Sequence, residues 1–339
     1  MFSLLRKLFT SNENDNSKYS RDELDKHIDL AVKHFDSRLN LVSGYRKRLT
    51  PAVEKALTHL DSLIAQIPGP IEINSKTYSS DPRVYAYFGS SDQMEHLFSH
   101  SKSFRDFAKK PDSFTLSHGY ALMVMIREEK TILGHALKGE MIHGEVMQQV
   151  VNFTAHQLVK PADSEDGVRL DLRQRAFQHL VAEGVLKIAR HTEEKADLER
   201  ERIHLQMMLR SLQAEHGSLD FGTEASHKTQ NRQAQLTKQL AETEQKLALS
   251  SRGLENINDY LELLINVLNQ PTSYCGLDNK NDCLNHHNVK VDPEMGSDVP
   301  YAEIKIGELQ RFGVIVKYPL NEIKDQSRIA SQMHSVYGQ

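Results

Sequence analysis

From residue 24 the hydrophobic positions keep a helical rhythm. Leu24, Ile28, Val32, Phe35, Leu39 and Val42 recur at intervals of three or four, which places them on one helix face. Thr50 followed by Pro51 fits an N-cap with proline in the first turn. Val53, Leu57, Leu60, Ile64 and Ile67 continue as a second stripe until PGP at 68–70 stops it. A further helix is expected over 91–110, with Met94, Leu97, Phe104 and Phe107 apolar and Ser91 or Asp92 as its cap.

From 112 the period changes to two. FTLSHGYALMVMIREEKTILGHALKGEMIHGEVMQQVVNFTAHQLV predicts an antiparallel meander in which polar groups such as REEK at 127–130 separate the strands. Near the C-terminus Ala302, Ile304 and Ile306 alternate with Glu303 and Lys305, and Val314, Val316 and Tyr318 mark another strand. A two-stranded hairpin is marginal alone, so these strands are expected to join the sheet begun at 112–160.

Two long heptad patterns lie between the β segments. The first runs over about 169–215 through Leu170, Phe177, Gly184, His191, Leu198, Leu205 and Leu212, flanked by Val181, Ile188 and Leu209. The second places Leu240, Leu247, Leu254, Leu261 and Leu268 seven residues apart, with Leu236, Ile257 and Leu264 at the complementary spacing. Gly217 and Gly222 in AEHGSLDFGTEAS suit helix termination and reversal.

Register favours pairing within one chain over a parallel dimer. If the reversal centres near residue 220, facing residues add to about 440. His191, Lys195 and Arg202 then fall opposite about 249, 245 and 238, close to the polar Thr243 and Ser250. An arm of about 45 residues would reach roughly 70 Å.

The expected fold class is therefore α+β. A helical N-terminal part and an antiparallel sheet form a head, and a long antiparallel coiled-coil helical hairpin is inserted between sheet segments. The expected boundaries are a flexible tail with a short amphipathic stretch at 1–20, a helical segment at 21–110, a β-rich head at 111–168 and 272–325, the hairpin at 169–271, and a flexible C-terminus at 326–339. A head of sequence-distant segments with an inserted helical arm resembles chromosome-maintenance ATPases in outline. The phosphate-cradling G-x-x-x-x-G-K-S/T loop is missing from this chain, so the resemblance implies no ATP chemistry.

Composition narrows the function classes. With 42 basic and 46 acidic residues and a net charge of -4, the chain offers polyanions no global attraction, and no specific nucleic acid partner is expected. Arg46, Lys47 and Arg48, and Lys102, Arg105, Lys109 and Lys110, read as solvated helix faces. The longest apolar run, YALMVMI at 120–126, is far short of the roughly 20 residues a membrane-spanning helix needs.

In MFSLLRKLFT, Arg6 and Lys7 interrupt the apolar stretch, unlike a secretory signal. Phe2, Leu5, Leu8 and Phe9 nevertheless share a helical face, so residues 1–10 read first as a frayed or tucked terminus and second as a weak membrane-surface contact, tethered by SNENDNSKYS. Two cysteines make no disulfide framework, which points to the cytoplasm, with a location peripheral to the membrane as the second reading.

Chemistry is sparse. The chain has no G-x-S-x-G, H-E-x-x-H, G-x-G-x-x-G or paired C-x-x-C motif, and neither catalytic residues nor an organic cofactor are assigned. Cys275, Cys283, His286 and His287 in CGLDNKNDCLNHH are the candidate zinc ligands, expected in a polar loop, although C-x7-C is an uncommon zinc spacing. His96 and His100 share a helix face without a local third ligand. His118, His135, His143 and His156 fall in expected strands, where one residue of slip decides which face they share. His191 falls at a heptad seam position, where a buried charge on protonation would weaken the coil, but is expected to be exposed because packing near Gly184 is loose.

These patterns point to a noncatalytic cytoplasmic scaffold or adaptor that binds a protein partner or self-associates through its coiled coil. The contact residues expected from the seam are Leu198, Leu205, Leu212, Leu240, Leu247, Leu254, Leu261 and Leu268. The alternatives are a peripheral membrane adaptor using residues 1–10 and a metal-dependent regulator or enzyme using the Cys275–His287 loop.

Overall fold

Ser20 opens the first helix by accepting a hydrogen bond from the Glu23 N–H at 3.2 Å, and Asp22 and Glu23 suit the positive end of the helix. The computed structural model describes residues 18–138, 141–216, 223–251, 254, 256–307 and 309–323. The expected amphipathic stretch and most of the tether, Gly217 and Gly222, and the C-terminus from 324 lie outside these residues.

The fold is α+β. A mainly antiparallel sheet is built from strands distant in sequence, and long helices are inserted between its third and fourth strands. The described residues form two compact units, one of 18–56 with 178–270 and the other of 57–177 with 271–323. No helix among them is long and apolar enough to cross a membrane.

In the first unit, helix α1 (Arg21–Phe35) buries Leu24, Ile28, Ala31, Val32 and Phe35. The rhythm that extends to Val42 is not one helix. Asp36 caps a new 3-10 turn at Ser37–Leu41 by accepting from the Arg38 N–H at 2.9 Å, and this turn still buries Leu39.

Helix α2 (Tyr45–Ala65) starts earlier than Thr50–Pro51 suggests and carries Pro51 inside it. Ion pairs hold its first turns in place: Arg46 contacts Asp25 and Asp29 of α1, and Arg48 contacts Glu262. The Thr50 hydroxyl donates to the Arg46 carbonyl at 2.8 Å instead of capping.

Three helices complete this unit: α7 (Glu165–His216, from residue 178 onward), α8 (Thr223–Ser251) and α9 (Ile257–Asn269). Asn256 begins α9 with a capping box shared with Asp259, so the leucine series is divided between two helices. Gly184 lets α7 approach α1, since a Cβ there would sit 2.6 Å from Phe35 Cε2.

In the second unit the sheet order is β3-β2-β6-β5-β4, formed by β2 (His118–Lys138), β3 (Met141–Ala162), β4 (Cys275–Leu284), β5 (Ser297–Ile306) and β6 (Leu309–Pro319). The C-terminal strands therefore join the sheet begun at 118, as expected. A two-residue β1 (Ile71–Glu72) pairs parallel with β6 beyond the stretch of β6 that pairs with β5. The sheet's two edges meet at residues 288–290, where Lys290 N–H donates to Gln149 O at 2.8 Å and the Leu284–Lys290 bridge reaches β4.

Four short helices, α3 (Ser75–Ser80), α4 (Pro82–Tyr87), α5 (Ser91–His100) and α6 (Lys102–Ala108), help to build the core of this unit. Val84, Tyr87, Phe88, Met94, Phe98 and Phe104 join Ala121, Met123, Met125, Val314, Val316 and Tyr318 there. The expected 91–110 helix is two helices, because Ser101 starts the second by accepting from the Phe104 N–H.

REEK is not a turn. Residues 127–130 lie within β2, which pairs with β3 along a single long hairpin. Their charges tolerate strand geometry because the two faces pair separately: Arg127 and Glu129 contact one another, as do Glu128 and Lys130. Beyond Met125, β2 loses β6 and continues with β3 alone, and the facing Leu133 and Met147 are exposed.

Candidate interaction surface

Burial along α7 follows the heptad seam. Phe177, Val181 and Gly184 are buried, Ile188, His191, Lys195, Leu198 and Arg202 are half-buried, Leu205 is buried again, and Leu209 and Leu212 are half-buried. In α8, Gln233, Leu236, Leu240, Thr243, Leu247 and Ser250 are the covered positions, also at intervals of three and four. Of the expected contact residues, Leu261 and Leu268 are fully buried in α9, whereas Leu254 is half-buried between helices.

The direction of pairing follows from side-chain positions. His191 Nε2 lies 2.8 Å from the Ser250 carbonyl oxygen, and Lys187, earlier in α7, shares a depression with Leu254, Asp259 and Leu263, later in the chain. Fourteen residues beyond His191 and fourteen before Ser250 stand Leu205 and Leu236, both buried. Arg202 Nε and Ser250 Oγ are buried without a hydrogen-bond partner, so the middle of the seam combines apolar layers with imperfectly satisfied polar ones.

The faces turned away from the seam carry exposed apolar side chains. On α7, Leu186 is 46%, Ile203 46% and Met207 62% exposed, and on α8 Leu249 is 61% exposed. Exposed alanines recur every seven residues at 182, 189 and 196, a series that Ile203 continues, and again at 234, 241 and 248. Sequence reasoning followed the leucines and missed this second repeat. The alanine spacing was the signal that could have revealed it.

Comparison with protein-family models, characterised proteins and solved structures found no match.

The expected zinc ligands do not form one donor set. Residues 275–284 are strand rather than loop, and the eight-residue step along β4 separates Cys275 from Cys283 by roughly 27 Å. Cys275 is buried, and Cys283 is half-buried with Sγ 3.6 Å from the Asp292 carbonyl. His286 and His287 are exposed in the turn that follows, their ring centroids 3.9 Å apart. Among the described residues, no three His, Cys, Asp or Glu side chains are grouped to hold a metal ion.

Folding does bring three other histidines together: His96, His100 and His156 line one shallow depression with Ser103 and Asp106. His96 and His100 stack face to face, with centroids 3.8 Å apart. His156 reaches this side because β3 has an irregularity between its pairings with Val124 and Ile126, near Ala155 at φ 51. Burial lowers the His156 pKa, opposed by its 2.8 Å contact with the Tyr87 carbonyl. His118 lies at the far end of β2 beside Ser117, and the side chains of His135 and His143 fall outside the described set.

A charged cluster on the sheet is balanced internally. Arg127 Nε donates to Asp282 at 2.8 Å, Tyr301 donates to the same oxygen at 2.7 Å, and Lys290 bridges Asp282 and Glu129. Burial alone would raise the Asp282 pKa, but the Arg127 and Tyr301 hydrogen bonds hold it below the usual carboxylate range. Two cations meet two carboxylates, which suits this cluster to joining β2, β4 and β5.

Proposed function

We propose that this protein is a noncatalytic scaffold or adaptor, with α7 and α8 pairing as a coiled coil whose outward faces receive a protein partner. The supporting observation is the division of labour on α7: Leu205 is buried, whereas Ile203 and Met207 beside it are exposed at the spacing of one helical turn. Seam residues covered within their own chain cannot also cover a partner. The exposed pair is therefore the more suitable contact, and binding free energy concentrates in a few side chains near the centre of an interface.

We assign the cytoplasm as its setting because neither cysteine is engaged in a disulfide, a state suited to a reducing compartment. The balanced charge of the chain favours protein over nucleic acid as the partner class.

Affinity purification of the full chain, followed by intact-complex mass measurement, tests the reading. Wild type should retain a defined protein, and the Ile203→Glu, Met207→Glu variant should lose it while keeping the wild-type helical signal and melting temperature. Equal retention by both chains would contradict the assigned surface.

A further inference from the structure

The outermost stripe of α7 is complementary to itself when reversed. Leu186, Glu193, Arg200 and Met207 follow one another at seven-residue steps, opposite the seam, and all four are exposed. Read in the opposite direction, the order becomes Met, Arg, Glu and Leu. A second copy laid antiparallel about an axis between Ala196 and Asp197 therefore sets Leu186 against the partner's Met207, and Glu193 against the partner's Arg200. The same two contacts recur on the other side of the axis, as a two-fold interface requires.

We propose that α7 docks antiparallel on α7 of a second copy of this chain through that stripe. The inference rests on the scaffold reading and names its partner. Ala189 and Ala196 flank the stripe with small exposed side chains, allowing the two backbones to approach closely. Between Leu186 and Met207 the stripe runs for about 32 Å at 1.5 Å per residue.

Arg200 already contacts Asp197, but their side chains are 74% and 62% exposed, so little free energy holds that pair. The guanidinium can turn to the partner's Glu193 at small cost. A parallel arrangement would instead stack Glu193 on its own copy and Arg200 on its own copy, which like-charge repulsion disfavours. A single helix face covers less than the standard interface of about 1,600 Å², so the association is expected to be reversible and concentration-dependent.

Sedimentation velocity of the full chain over a concentration series tests the proposal. Wild type should pass from monomer to dimer as concentration rises. Glu193→Arg alone and Arg200→Glu alone should each shift the transition at least tenfold upward, because each turns both ion pairs into like-charge contacts. The double variant E193R/R200E should return it to the wild-type range, since its arginine at 193 meets the partner's glutamate at 200.

All four residues point into solvent, so circular dichroism should show the variants folded. A wild type that stays monomeric, or a double variant no better than the singles, overturns the proposal. Should the monomer still recover a different protein through Ile203 and Met207, the scaffold reading stands and only self-pairing fails.

Discussion

His191 Nε2 lies 2.8 Å from the carbonyl oxygen of Ser250, across 59 residues of chain. Ser250 occupies the last turn of α8, where backbone carbonyls lack partners within the helix. An imidazole N–H donating to this oxygen satisfies the α8 terminus from α7. A polar seam residue thus fixes register as well as interrupting the apolar layers.

The seam and its outer neighbours should respond differently to truncation. Leu205→Ala removes a buried layer and is expected to cost about 2–3 kcal/mol. Met207→Ala removes an exposed side chain and should stay within about 0.5 kcal/mol of wild type. Arg202→Leu replaces a half-buried side chain whose Nε lacks a hydrogen-bond partner and should stabilise by about 1 kcal/mol. Urea melts of the three variants check the order, and equal costs for Leu205 and Met207 would contradict the assigned burial.

Close approach at Gly184 predicts a steric penalty. Alanine there gains up to about 1 kcal/mol of helix propensity but must displace the Phe35 ring, so its net effect should be small. Gly184→Val adds two more methyl groups at the same contact and should destabilise by about 1–3 kcal/mol. Combining it with Phe35→Ala should cost less than the sum of the two single changes, measurable as a coupling in a double-mutant cycle.

On the sheet, Arg127→Met leaves Asp282 with only Tyr301 and Lys290 to offset its burial. The expected loss is about 2 kcal/mol at neutral pH, below the range for a fully enclosed pair because the cluster retains some solvent contact. Asp282 titrates below its ordinary range in the fold, so its contribution is present at neutral pH and disappears as pH falls through the folded value. The destabilisation caused by Arg127→Met should therefore shrink under strongly acidic conditions. A constant difference down to pH 2 would count against the pairing.

His156 makes the stability curve slope in mildly acidic solution. Its pKa is lowered by burial, so the unfolded chain binds the proton more readily, and stability rises with pH from the folded value up to about 6.5, the ordinary histidine value. His156→Gln should flatten that part of the curve in melts between pH 5 and 7.5. An unchanged slope would assign it to other groups.

Much of the architecture was legible because period and burial agree. The heptads marked α7 and α8, and Val314, Val316 and Tyr318 marked the buried face of β6, whereas the alternation at Ala302, Ile304 and Ile306 located β5 without predicting its burial, since Glu303 is buried and Ile304 and Ile306 are half-buried. Tertiary contacts obscured the remainder. Arg46 and Arg48 hold helical turns ahead of Pro51, and partners for Arg127 and Lys130 let REEK continue a strand. The irregularity near Ala155 turns His156 toward the helices, a shift that alternation alone could not disclose. Ile203, which continues the seven-residue series of Ala182, Ala189 and Ala196, and Met207, in the series of Leu186, Glu193 and Arg200, were readable as helical repeats but were hidden by the stronger leucine series.

The pairing of α7 with α8 inside one chain underlies the exposed stripe and the function assigned to it. Spin labels at Thr192 and Leu249, with both native cysteines replaced by serine, test it by dipolar distance measurement in labelled protein diluted with unlabelled chain. The predicted result is one short distance, near the helix spacing of about 10 Å plus the label tethers, unchanged by dilution. A distance of several helix diameters, or a short distance that fades on dilution, would contradict the pairing.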